Sequence, residues 1–280
     1  MNKKIIIGLR AFKKEESDFF YGRKKEVENL LLILQKDKLV TLIGSSGSGK
    51  SSLINAGLIP RLEKGFLAQA GNQWAICKFR PGISPIENLS YSLTSNGSLS
   101  LEGKANTEDF GQYLKTIKDS DSLGLTEIYK KSQIFNKKNL LIIIDQLEDM
   151  FKYKRFFDSS ESDQDDLLLN LVSRTIKMKD TAIYFVLVIQ SEHFSNLTQY
   201  VKLQEIISKS QYAIPNIKKA TINEIVKNHM LPKKLIFSNE AIEYIHEKLD
   251  DDSSLLPNMQ FLFKQLIKNN QLDKNQKQNI

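Results

Sequence analysis

Apolar positions along this chain fall into short unbroken runs that alternate with stretches of helical spacing. Val27, Leu30, Leu31 and Leu34 recur at three- and four-residue intervals and predict a helix, preceded by the aromatic stretch "SDFFYG" at 17–22. "KLVTLIG" (38–44) is β-branched, ends on glycine and predicts a strand. From Lys50 a second helix is predicted, with Leu53, Ile54 and Leu58 on one side and a stop near Pro60. "WAICKF" (74–79) reads as a strand closed by the turn Arg80-Pro81-Gly82. Residues 95–106 are rich in Gly and Ser and predict an exposed connection. "NLLIII" and "TAIYFVLVI" are two further strands; a helix face of Leu167, Leu168, Leu171 and Val172 lies between them. Uniformly apolar strands alternating with helices predict an α/β domain with a parallel sheet covered on both faces.

After residue 216 the strand signals stop. Residues 220–229, 238–249 and 257–268 read as helices, and "NNQLDKNQKQNI" as a frayed polar tail. The expected organisation is an N-terminal segment and first helix (1–37), an α/β domain (38–216), a small helical domain (217–270) and a tail (271–280).

Composition narrows the class. The chain has 280 residues, 41% hydrophobic and 26% charged, enough to bury a sizeable core. Its longest apolar runs are far too short to span a bilayer, and the start "MNKKIIIGLR" is too short in apolar residues for a secretory signal. A single cysteine, Cys77, rules out an internal disulfide and a cysteine-based zinc cluster. The expectation is a soluble, cytoplasmic protein. The net charge of +7 changes the picture little, because 34 of the 40 basic residues are Lys and the Lys pairs are scattered. Nucleic-acid recognition favours Arg forks or a concentrated basic stripe, so direct nucleic-acid binding stays only an open alternative.

The chemistry concentrates in two places. "GSSGSGKSS", Gly44 to Ser52, fits G-x-x-x-x-G-K-[ST] and sits between a predicted strand and a predicted helix. Gly44, Gly47 and Gly49 let the backbone curl so that N–H groups point at phosphate oxygens. In this pattern Lys50 reaches the β/γ-phosphates, Ser51 supplies a hydroxyl to Mg²⁺, and the helix dipole adds its field. The other place is "LLIIIDQLEDMF" (140–151), five aliphatic residues that run into Asp145, Glu148 and Asp149. A strand ending in an acid places that carboxylate beside a phosphate loop, where it holds Mg²⁺; the competing reading of Asp145 is a helix N-cap. Guanine-specific signatures are missing: residue 148 is Glu where D-x-x-G needs Gly, and "NKKN" (136–139) lacks its final Asp. Adenine is therefore favoured.

With these motifs in place, the chain resembles the prokaryotic novel STAND NTPases, signal-transduction ATPases related to the nucleotide switches of NLR proteins. The resemblance rests on Phe20, Gly22, Arg23 and Glu26 in "FFYGRKKEV", on "GSSGSGKSSLINAGLIPRL", on "FRPGISP", on "IIIDQLEDMF", on "SQYAIPNI" and on "LPNMQFLF". It implies an α/β P-loop NTPase fold of the ASCE, AAA-like type followed by a small helical domain, and an ATP/ADP switch with Mg²⁺. It further implies that Gly47, Ser48, Gly49, Lys50, Ser51 and Ser52 hold phosphates and that Ser51 and Asp145 hold Mg²⁺. Glu148, or Asp149 in its stead, would polarise the attacking water. Phe20, Gly22 and Arg23 would lie near adenine, with Pro257 closing over the base. The plainer readings are core aromatics for Phe19, Phe20 and Tyr21, a surface ion pair for Arg23 and a helix N1 residue for Pro257.

One departure bears on rate. Where the family has Arg-Ser-Asp/Glu after its fourth strand, this chain has Gln190-Ser191-Glu192. Gln lacks the charge with which an arginine stabilises phosphoryl transfer, so slow or partner-dependent hydrolysis is expected. No effector, repeat or winged-helix portion is visible in the sequence. The leading expectation is therefore a module for self-association or for work with an effector or sensor protein in prokaryotic signalling or defence. An AAA-like ATPase acting on nucleic acid and a nucleotide-binding scaffold are the alternatives.

Overall fold

A computed structural model describes residues 9–120, 122–153, 159–199, 201–217, 221–225 and 261. The chain groups into two units that interleave in sequence. One comprises Met1–Glu28, Gly44–Pro60 and Ile214–Ile280, the other Asn29–Ile43 and Arg61–Ala213.

The second unit is built on a five-stranded parallel sheet. Its strands are β1 (Leu39–Gly44), β2 (Trp74–Phe79), β3 (Asn139–Ile144), β4 (Ile183–Gln190) and β5 (Gln211–Ala213), in the order β2-β3-β4-β1-β5. β4 is thus inserted between the strand that leads into the phosphate loop and the strand that ends at Asp145. Register ties the strand ends together: Phe79 pairs with Ile144, Ile144 with Leu187, and Ile43 with Ala213.

The three central strands are buried along nearly their whole length, as a sheet covered on both faces requires. Leu140, Ile142 and Ile144 join Ile183, Phe185, Leu187 and Ile189 in one continuous core, while Leu141, Ile143, Val186 and Val188 are buried outside that cluster. Each fully buried aliphatic side chain contributes about 1.5–3 kcal/mol. The five in β3 together outweigh the several kcal/mol that Asp145 costs on leaving water. Helices Pro85–Ser95 and Ser159–Lys177 pack on each other, the first also on β2 and the second also on β4.

Four local expectations change. The helix from Lys50 does not stop at Pro60: an α-helical turn (Lys50–Ser52) widens into a π-helical stretch (Leu53–Leu58) and returns to α-helix over Ile59–Glu63. The Ile59 N–H bonds Ile54 O, five residues back, and this wider turn gives the Pro60 ring room beside the preceding carbonyls. The connection at 95–106 is exposed at Asn96 and again from Leu101 onward, but Gly97, Ser98 and Leu99 between them are buried. Lys38 sits outside β1 in a left-handed turn (φ 55), with its Nζ donating to the carbonyls of Met178 and Thr181. β5, whose residues gave no strand signal, pairs in parallel with β1.

Residues 221–225 are helical. Apart from residues 217 and 261, the rest of the expected small helical domain, the tail and Pro257 lie outside the described residues. Among the described residues no helix is long and apolar enough to cross a membrane.

Candidate functional site

The phosphate loop has the backbone its glycines predict. Gly47 (φ 76) and Gly49 (φ 90) both occupy the left-handed region, where a side chain costs about 1–2 kcal/mol. A Cβ on Gly44 would stand 2.7 Å from Ser48 Oγ, so a side chain there would force the Ser48 hydroxyl to move. Lys50 folds back onto the loop, its Nζ donating to the carbonyls of Gly44 (2.6 Å) and Ser45 (2.7 Å). Ser48 is buried, and its Oγ has no hydrogen-bond partner. Ser51 is half-buried one residue into the helix.

Ser52 serves a different neighbour. Its Oγ accepts the Phe12 N–H at 3.1 Å, and Asn55 Nδ2 donates to Phe12 O at 3.3 Å. Two side chains of one helix therefore take both main-chain polar groups of Phe12. The Phe12 ring is buried with Ala56 and meets Phe20 edge-on, with centroids 5.5 Å apart. Phe20 is thus a packing aromatic in this unit. Gly22 (φ 79) lies so close to the helix at 221–225 that a Cβ would approach Thr221 Cγ2 to 2.5 Å. Arg23 is 7% exposed and its Nη1 donates both to Glu26 Oε1 and to Pro215 O, each at 2.9 Å. It is a buried bridge rather than a surface ion pair, and it ties the N-terminal segment to the stretch after β5.

The second unit carries the acids at the carboxyl ends of its strands. Asp145 N–H donates to Phe79 O, which holds the end of β3 to the end of β2. The partner of the Asp145 carboxylate is Lys78 on β2: Lys78 Nζ lies 3.0 Å from Asp145 Oδ2, with the two side chains 35% and 10% exposed. The next residue, Gln146, takes a left-handed conformation (φ 56) that turns the chain sharply, and Leu147 N–H then returns to Val188 O on β4. This turn delivers Glu148 to a fully buried position. Its Oε2 accepts the main-chain N–H of Gln190 at 3.2 Å, and its Oε1 is buried with no partner. Asp149 opens the helix Asp149–Tyr153 and lies 3.6 Å from Lys152 Nζ, a helix-start charge. The Gln190 side chain is half-buried.

Asp145, Glu148 and Gln190 are thus gathered in one unit, while the phosphate loop, Phe20, Gly22 and Arg23 belong to the other. Three contributors escaped the sequence reading: Lys78, Phe12 and Asn55. Only Lys78 left a signal, a lone charge inside an otherwise apolar strand.

Each unit brings an oxygen donor of the kind a hard divalent cation takes, the Ser51 hydroxyl in one and the Asp145 carboxylate in the other; Mg²⁺ is ordinarily held by one or two such oxygens together with phosphate and water. Among the described residues no cluster of three or more His, Cys, Asp or Glu side chains could hold a metal without such help.

Comparison with known proteins agrees with this architecture. A Walker-type ATPase of Pyrococcus abyssi superposes with a TM-score of 0.58 at 17% identity, over 92% of this chain and 71% of that one. The ORC2 protein of Aeropyrum pernix in its ADP form gives a TM-score of 0.53 at 15% identity, over 91% of this chain and 63% of that one. The same protein in its ADPNP–ADP complexes gives 0.52 at 15%, over 82% and 56%. These likenesses show the fold, a P-loop ATPase sheet flanked by helices, and the chain spans less than two thirds of the ORC2 protein. A search of curated protein sequences returns no match. The sequence model of the family described as Novel STAND NTPase 1 matches residues 7–279, so the N-terminal segment, the phosphate loop and the strand-end acids fall within a single family match, and the chain belongs to the novel STAND NTPases.

Proposed function

We propose that this chain is an ATP/ADP-binding switch of the STAND type, with slow or partner-dependent hydrolysis. The observation that carries the proposal is the phosphate loop, with left-handed glycines at 47 and 49 and an ammonium already hydrogen-bonded to the loop carbonyls. In this reading Gly47, Ser48, Gly49 and Lys50 bind the phosphates, and Ser51 and Asp145 hold the Mg²⁺ that neutralises charge on the phosphoryl group. Glu148 polarises the attacking water, while Gln190 brings no charge to the γ-phosphate. Phe20, Gly22 and Arg23 shape the wall near the base, and Pro257 contributes from the helical region.

A switch must change something when ATP replaces ADP, and the proposed output is self-association or engagement of an effector or sensor in a prokaryotic signalling or defence system. Size-exclusion chromatography with light scattering tests this in ADP, ATP and a non-hydrolysable analogue, for native protein and Lys50→Ala. A larger assembly with ATP or the analogue, absent in Lys50→Ala, is the expected result. An oligomeric state indifferent to nucleotide would remove the switch. It would leave the second reading, a nucleotide-binding scaffold with little hydrolysis, which the neutral side chain at position 190 favours.

A further inference from the structure

The pairing of Lys78 with Asp145 is not explained by the sheet alone. β2 is an edge strand, where an inward charge is tolerated, yet Lys78 spends its ammonium on the one carboxylate assigned to Mg²⁺. The two partners differ in how they can respond. The Asp145 side chain is 10% exposed and cannot turn to bulk water, whereas the Lys78 side chain is 35% exposed and has a flexible stem. A second cation at the same carboxylate therefore displaces the ammonium rather than the acid, and Lys78 can withdraw without leaving a buried, unpaired charge.

We propose that Lys78 is a positioning residue that acts as a built-in counter-cation for Asp145 and competes with Mg²⁺ for it. Without Mg²⁺ the ammonium keeps the Asp145 carboxylate paired and ordered; Mg²⁺ loading requires the ion pair to open. The chain thereby trades Mg²⁺ affinity for an acid that stays in place in the nucleotide-exchanging state. This inference rests on the assignment of Asp145 as a Mg²⁺ ligand.

The test is a Mn²⁺ titration followed by electron paramagnetic resonance on the full chain saturated with ADP, which reads metal binding without turnover. Lys78→Met keeps the aliphatic stem and removes the competitor, so half-saturation is expected at about fivefold lower Mn²⁺. Lys78→Arg, which keeps a cation there, is expected to restore the weaker native value. Lys78→Gln repeats the measurement with a polar side chain should the methionine variant not fold. Metal affinity unchanged or weakened in folded Lys78→Met or Lys78→Gln would overturn the competition. Asp145→Asn separates the two layers. If it leaves Mn²⁺ affinity unaltered, the assignment of Asp145 falls and the inference with it. If it weakens binding while the Lys78 variants do not tighten it, only the inference falls.

Discussion

The Glu148 carboxylate is anchored by the main chain of Gln190, whose N–H it accepts at 3.2 Å, and not by the Gln190 side chain. Position 190 therefore has two separable contributions: a backbone donor that holds the acid and a side chain free to vary. Gln190→Arg is expected to leave Glu148 in place while adding a charge for the transferring phosphoryl group. Single-turnover ATP hydrolysis should then rise at least about tenfold, a small part of what an arginine finger can supply. No gain in a variant that still binds ATP would mean that the missing charge does not limit the rate.

Lys50 Nζ donates to two carbonyls of its own loop, Gly44 and Ser45. Lys50→Ala should thus weaken ATP and ADP binding on the order of 10- to 100-fold, the worth of a hydrogen bond to a charged group. The melting temperature without nucleotide should shift by no more than a few degrees. Fluorescence titration with a labelled ADP and a thermal melt check both halves. A large loss of stability would show that the lysine is structural.

At Gly22 two demands coincide, a φ of 79 and the approach of Thr221 Cγ2. Gly22→Ala is expected to cost about 2–4 kcal/mol from the left-handed backbone and the clash together. Urea denaturation monitored by circular dichroism reads this directly. A cost below about 1 kcal/mol would show that the N-terminal segment is not seated against the helix at 221–225 in solution.

Cys77 is buried in the middle of β2, and burial raises its thiol from an ordinary 9.0 to about 12, partly opposed by a hydrogen bond with Ser98. The folded value lies above the unfolded one. The thiol's contribution to stability is therefore complete below about pH 9 and is lost as pH rises through about 12. At pH 8 the native protein should react with a disulfide reagent only through unfolding, at a rate that rises with urea, whereas the denatured chain reacts at once. Rapid labelling without denaturant would contradict the burial of β2.

The parts legible in the sequence were those where physics leaves few residue choices. A doubly covered sheet needs uniform aliphatic strands, hence β1, β3 and β4, and a loop with left-handed turns needs glycine at 47 and 49. The parts that were not legible depend on neighbours distant in sequence or on short elements. Lys78 became the partner of Asp145 through strand register, which no local pattern encodes. β5 has three residues, too few for a period-two signal. Pro60 reads as a helix stop unless the π-helical stretch before it is known. Ser52 reads as part of the phosphate motif, although its hydroxyl is turned to Phe12.

That last contact changes where this protein can be cut. The covalent order suggests trimming at residue 38 to isolate an α/β core. But Phe12 fills a socket made by Ser52, Asn55 and Ala56, the first turns of the helix that leaves the phosphate loop. A fragment starting at 38 would leave two polar side chains and an apolar surface of that helix bare to solvent, and it is expected to be prone to aggregation. Fragments meant for nucleotide work should begin no later than Leu9, and a protease nick between residues 13 and 23 should be felt first at the phosphate loop.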